Sequence, residues 1–297
     1  MRRHSALLLT LMAATAATGC GADDDTAAGL SSRLVDLDAR PPLINSLERD
    51  ERSDELLLTT NRGFYRIDPQ TDEVSRERGT ISADGASSSM GTFLEIKYES
   101  PGVLIGSGHP DERTLPQYLG FIRSEDDGRT WEVVSRLGLA DLHKLVLKHD
   151  RIYAWDAVLS ALVISEDGGV TYAEHFTPRG LIIDFEVDPA DPARIVVATD
   201  DQVFRSEDEG EGWRPVLATE GARFAWPEAD SLYRADADGT VERSPDGGDT
   251  WDALEPLEGE PYKIEPVSAE ELFVALSDGT IAHTTDGAQS WEYVFRP

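Results

Sequence analysis

Two histidines and several carboxylates recur at short spacings through the middle of the chain: His109 and Asp111, then Asp141 and His143, then Trp155 with Asp156, and finally Asp184. Imidazole beside carboxylate can move a proton between reacting groups. It can also ligate a divalent cation such as zinc or manganese, for which His109 and His143 are the candidates. Two carboxylates drawn from Asp111, Asp141, Asp156 and Asp184 could instead flank a glycosidic bond, with their separation selecting retention or inversion. A non-reacting role uses the same set. His109, Asp111, Asp141, His143 and Trp155 would then contact a bound ligand, or simply cap turns. These readings stay open at the level of sequence; no cofactor is expected, and no metal is assigned.

What must position these residues is a repeat of about forty residues. Five copies of one short pattern open at Ser124, Ser165, Ser206, Ser244 and Thr284, at intervals of 38 to 41 residues. Each carries an aspartate two positions on (Asp126, Asp167, Asp208, Asp246, Asp286) and closes on an aromatic residue (Trp131, Tyr172, Trp213, Trp251, Trp291). Aspartate, glycine and hydroxyl side chains at such spacing describe a tight turn. Alternating or apolar runs flank every copy, so each turn joins two antiparallel strands. Two further strands precede each turn, as in residues 142–147 and 151–155. A sixth unit without the pattern occupies residues 55–68. Four strands per forty residues is one propeller blade, which gives six blades over residues 43–297. On that template His109 opens a long loop between second and third strands, and Asp141 and His143 stand at the start of the next blade. These residues and Asp111 are expected to converge at the central channel, with Trp155, Asp156 and Asp184 in comparable places.

The pattern resembles the Asp-box, or BNR, repeat of sialidases, sortilin-type receptors, xyloglucan-cleaving propellers and photosystem II assembly factors. Residues 104–111, 119–124 and 141–143 look like a group of bacterial Asp-box proteins classed as glycosyl hydrolases. The resemblance implies an all-β chain, a single six-bladed β-propeller with Asp-box turns between the third and fourth strands of most blades. It also implies that the five box aspartates are structural and lie away from the binding face. A sialidase clamps its substrate with three arginines, beginning at an N-terminal Arg-Ile-Pro motif. Here Tyr65, Arg66 and Ile67 are followed by Asp68, and Arg66 falls on an outer strand. Arg113, Arg179 and Arg223 lie near face loops without completing a clamp, so true sialidase activity is not expected.

The formal charge of the chain is -30, which disfavours nucleic-acid partners. Cys20 is the only cysteine, so an intrachain disulfide is excluded. Residues 1–19 have a charged start, a short apolar stretch and a small-residue exit, the pattern of a secretory signal peptide. Ala17, Thr18, Gly19 and Cys20 resemble the bacterial lipobox, which implies acylation of Cys20 and anchoring at the extracytoplasmic face of the cell envelope. Residues 20–42 read as a flexible acidic tether. The expectation is a lipid-anchored, monomeric ligand-binding module for a glycan or an envelope protein, touching the membrane through its lipid alone. A glycoside hydrolase and an assembly-factor-like scaffold are the alternatives.

Overall fold

The computed structural model describes residues 43–68, 71 and 73–296. The signal segment 1–19, Cys20 and the tether 20–42 lie outside the described residues. Strands form six sheets built in chain order, and no strand is exchanged between sheets. They make a single six-bladed β-propeller. Blade one consists of Ile44–Arg49, Leu56–Thr60, Phe64–Ile67 and Val74–Glu77; blade three of Leu142–Lys148, Arg151–Asp156, Ala161–Ser165 and Ala173–His175. Blade four contains Ile182–Val187, Ile195–Thr199, Gln202–Ser206 and Arg214–Ala218. Blade five contains Arg223–Ala225, Leu232–Ala235, Val241–Ser244 and Asp252–Ala253, and blade six Pro261–Pro266, Leu272–Leu276, Ile281–Thr284 and Glu292–Phe295.

Each blade is sandwiched between two others, so its second strand is covered on both faces and loses the alternation of a half-buried strand. Leu56–Thr60, Ile195–Thr199 and Leu272–Leu276 are buried at every position. The apolar clusters therefore lie between blades. One joins Ile44, Leu47 and Leu58 of blade one to Phe273, Ile281 and Phe295 of blade six, which closes the ring without an exchanged strand.

Blade two departs from the four-strand expectation. Its strands Leu94–Ser100, Val103–Gly108, Phe121–Ser124 and Thr130–Ser135 are extended outward by a hairpin, Gly79–Ala83 and Ala86–Met90. The hairpin docks parallel to the fourth strand, with Thr80 opposite Thr130. Its turn is Asp84 and Gly85, both at positive φ (52° and 80°), the strongest short-range hairpin signal a sequence carries.

The repeated turns share one hydrogen-bond scheme. Ser124 Oγ donates to Asp126 at 2.9 Å and accepts from Gly128 N at 2.9 Å, and Asp126 accepts from Thr130 N and Thr130 Oγ1, both at 2.7 Å. The same bonds recur around Asp167, Asp246 and Asp286. Around Asp208, where Gly212 replaces threonine, only the backbone bond at 2.8 Å remains on that side. Backbone and hydroxyl donation from Thr250 holds Asp246 down at about 2. Ser290 and Thr284 do the same for Asp286.

The second glycine of the turn also seats one blade against its neighbour. A Cβ on Gly169 would stand 2.1 Å from the Phe121 ring of blade two, whereas one on Gly168 would meet nothing within 4 Å. Both glycines have positive φ, 87° and 71°. Gly169→Ala should therefore cost about 3 kcal/mol, from overpacking and a left-handed backbone together, and Gly168→Ala about 1 kcal/mol from the backbone alone. Denaturant unfolding of the two variants measures this; equal losses would show that blade-to-blade contact at Phe121 is not limiting.

Candidate functional site

The innermost strands all start at one face of the ring, and their first residues define the channel mouth. In blades one, three, four and six the pairing of first and second strands slips near that start, at Asn45, Lys144, Ile183 and Tyr262. Such bulges re-aim side chains, and all four of these residues line the mouth, a cavity of about 300 Å³. Its rim carries Phe93, which is half exposed, and the channel side is closed by charge. At the opposite face a cavity of about 330 Å³ opens between blades one, two and six. The waist between the two holds only about 20 Å³.

Ion pairs close this waist. The chain contains only four lysines, Lys97, Lys144, Lys148 and Lys263, and every one lies on an innermost strand with its side chain between 16% and 25% exposed. Lys97 of blade two meets Glu48 of blade one and Glu265 of blade six, each at 2.9 Å. Lys263 returns from blade six to Glu95 of blade two at 2.7 Å. Lys144 pairs with Asp184 at 3.1 Å and Glu186 at 3.4 Å. Lys148 donates to Glu186 (2.7 Å), Val187 O (2.7 Å) and Trp226 O (2.8 Å), which ties blades three, four and five.

Five carboxylates thus face four ammonium groups. Burial, and then the neighbouring Glu265, pushes Glu48 up to about 8, and burial pushes Lys148 down. Burial works against the Lys97 charge, but Glu265 and Glu48 hold it above its usual range. Glu186 is likewise opposed by burial and held low by Lys148 and Lys144.

Of the residues singled out from sequence, His109, Asp141 and His143 do come together at the mouth. Asp141 lies between the two imidazoles, 3.6 Å from His109 Nε2 and 3.2 Å from His143 Nε2. Its hydrogen bond holds His143 above the usual imidazole range. Asp184 also reaches the mouth, where it accepts from Phe224 N at 2.9 Å in addition to its lysine. Asp111 does not converge with them. It turns outward to accept from Thr92 Oγ1 at 2.7 Å, and its loop is pinned to the added hairpin through Ser89 O. Asp156 is fully buried behind the mouth lining, accepting from Val158 N at 2.9 Å and Asp141 N at 3.5 Å and pairing with Arg136 at 3.2 Å. Trp155 packs on the apolar cluster between blades three and four. Arg66 lies on the third strand of blade one, bonded to Tyr98 and Asp50.

Glu95, Lys144, Tyr262 and Lys263 at the mouth were not anticipated from sequence. The signal available for them was the restriction of lysine to the four innermost-strand positions. Arg223, noted from sequence only as near a face loop, lines the mouth as well: it donates to Ile183 O at 2.5 Å and lies 5.3 Å over the Tyr262 ring. Two donors here, Asn45 Nδ2 and Arg223 Nε, are buried with no acceptor among the described residues. No group of three or more His, Cys, Asp or Glu among the described residues is arranged to hold a metal ion.

No family model and no curated protein matches the sequence. Solved structures do. A structure of YCF48 bound to D1 peptide superposes with a TM-score of 0.55 at 15% identity, covering 83% of this chain and 94% of that one. A chain of the nidogen/laminin complex gives 0.59 at 12% identity, over 82% and 93%. The WD40 β-propeller domain of Doa1 gives 0.60 at 11% identity, over 89% and 86%. At these identities the likeness is one of fold.

The ionic waist carries its own pH signature. A carboxyl that keeps its proton to about 8 in the fold, against 4.5 as the ordinary value, stabilises the folded state fully below the lower value and loses that contribution as pH rises through the upper one. Stability of the wild type should therefore fall relative to Glu48→Gln between those limits, by on the order of 2 kcal/mol. Denaturant titrations across the window test this; parallel curves would contradict it.

Proposed function

We propose that this chain is a non-enzymatic binding propeller that takes an extended segment of a protein partner at the channel mouth, and that acylated Cys20 holds it at the extracytoplasmic face of the cell envelope. The observation that carries the binding reading is the mouth cavity of about 300 Å³, which sets the side chains of Asn45, His109, His143 and Arg223 beside apolar Phe93, Ile183 and Tyr262. Such a mix of contact area and hydrogen-bonding groups suits an extended peptide, whose backbone offers donors and acceptors at regular spacing. The solved neighbours that include a peptide-bound YCF48 and a nidogen/laminin complex support a protein ligand over a glycan.

The mouth is poorly suited to glycoside hydrolysis. Glu95 and Asp184 are each engaged by a lysine and Asp141 by two histidines, whereas that chemistry uses two carboxyl groups free to face the sugar. Asp111 and Asp156, the other candidates, are committed to holding loops of this face. The Asp-box likeness is in keeping with this reading, since the box aspartates are used up in holding their turns.

Peptides selected on the full chain from a random dodecapeptide phage library should bind it, with Arg223→Ala and Asn45→Leu each weakening them about tenfold, the scale of a lost charged or buried hydrogen bond. A panel of chromogenic glycosides, a sialoside included, should stay intact. Selected peptides indifferent to both substitutions would move the site off the mouth, and glycoside turnover would make the protein a hydrolase.

A further inference from the structure

On the mouth face the large exposed apolar side chains are confined to one side, where the blade-two loop also carries exposed Asp111, Glu112 and Arg113. Strand direction places the second-to-third loops and the loops leading into each innermost strand on this face, and five of the large exposed apolar side chains fall in them: Phe93, Leu139, Val158, Leu159 and Leu181, between 39% and 67% exposed. Contacts join those of blades two and three into one arc, and Leu181, whose N–H donates to Asp200 at 3.1 Å, stands where blade four begins. Phe93 meets His109 edge-on at 6.4 Å and His109 meets Tyr118 at 5.6 Å. Tyr118 O then accepts from Gly138 N beside Leu139, and Asp141 O from Ala157 N beside Val158. Clustered exposed apolar residues of this kind mark an interaction surface.

Across the mouth, over blades four to six, the same loops carry exposed Asp200, Asp201, Glu220, Asp238, Glu260 and Asp278. Backbone bonds fix two of them on this face: Glu220 O accepts from Ala237 N, and Glu260 O from Ser277 N. Of the cations on that side, Arg223 lies inside the mouth, Arg296 is paired with Glu258 at 2.9 Å, and Arg179 is exposed in the loop before blade four.

We infer that the partner segment is apolar at one end and cationic at the other, lying across the mouth with leucine- or phenylalanine-like residues on the arc and lysine or arginine over blades four to six. This rests on the binding function proposed above and adds the chemistry and polarity of the ligand. An acidic half on the same face opposes docking to an anionic bilayer, which favours a protein segment over a lipid surface as occupant.

The probe is a fluorescein-labelled dodecapeptide with four lysines or arginines in one half and Leu-Phe-Leu in the other, compared by anisotropy with a scrambled peptide and with one bearing glutamate in place of the basic residues. The block peptide should bind the full chain at least tenfold more tightly than either control. Raising NaCl from about 50 to about 300 mM should weaken it about fivefold or more. Leu139→Ser/Leu181→Ser should weaken binding about tenfold and keep its salt dependence. Asp201→Asn/Glu220→Gln/Glu260→Gln should weaken it and flatten that dependence. All five substituted side chains are exposed, and an unchanged unfolding midpoint confirms that each variant folds. Equal affinity for block and scrambled peptides, or two variants within twofold of wild type, would overturn the inference. If library peptides of other composition still bind and remain sensitive to Arg223→Ala, the binding function survives while this inference fails; if no peptide binds, both fail. Arc-dependent sedimentation with phosphatidylcholine/phosphatidylglycerol vesicles, without peptide binding, would assign the arc to a membrane instead.

Discussion

Four ammonium groups sit on the innermost strands of the ring, around its axis. Leaving any of them there unpaired would be far costlier than the pairing returns, so carboxylates from other blades must come to meet them. Lys97 and Lys263 bind blade two to blade six across blade one, and Lys148 gathers blades three, four and five. The pairing specifies which blade neighbours which more than it adds net stability, because buried ion pairs roughly balance their desolvation. It also narrows the channel to a waist of about 20 Å³. What would be a pore becomes two recesses, and the one at the mouth acquires a charged floor.

Packing between blades works together with this axis. Glycine in the repeated turns lets the Phe121 and Phe64 rings of preceding blades approach the turn backbone, while the turn aspartates are consumed by local donors. The perimeter is thus held by hydrogen bonds and apolar contact, and the axis by charge. The mouth is shaped separately, by bulges at Asn45, Lys144, Ile183 and Tyr262 that turn side chains inward. A net charge of -30 fits this division, since all the lysines are withdrawn from the surface and most acidic side chains are not.

Much of the architecture was legible in the sequence because the turn that builds each blade needs specific residues at fixed positions. Ser124, Asp126, Gly128 and Trp131 and their counterparts announce the repeat, and strand alternation follows from it. The convergence of His109, Asp141 and His143 was legible too, since blade geometry places the loop after a second strand beside the start of the next blade. Asp111 and Asp156 were misplaced because a loop aspartate serves a turn or a site equally well by type. Only the hairpin at Gly79–Ala83 and Ala86–Met90, which captures the Asp111 loop, and Arg136, which captures Asp156, decide between them. Bulges leave no trace in hydrophobic period, so Lys144 and Tyr262 stayed invisible. The ionic waist joins residues 168 positions apart and could be suspected only from the confinement of lysine to innermost strands.

The central claim is that ligand binding occurs at the mouth and not at the repeated turns of the opposite rim. Hydrogen–deuterium exchange of the full chain, with and without a saturating selected peptide, addresses it directly. The account predicts slowed exchange in residues 91–95, 107–118, 139–144 and 181–184, with the five turns unchanged. Protection confined to the turns around Asp126, Asp167, Asp208, Asp246 and Asp286, with the mouth loops unaltered, would contradict it.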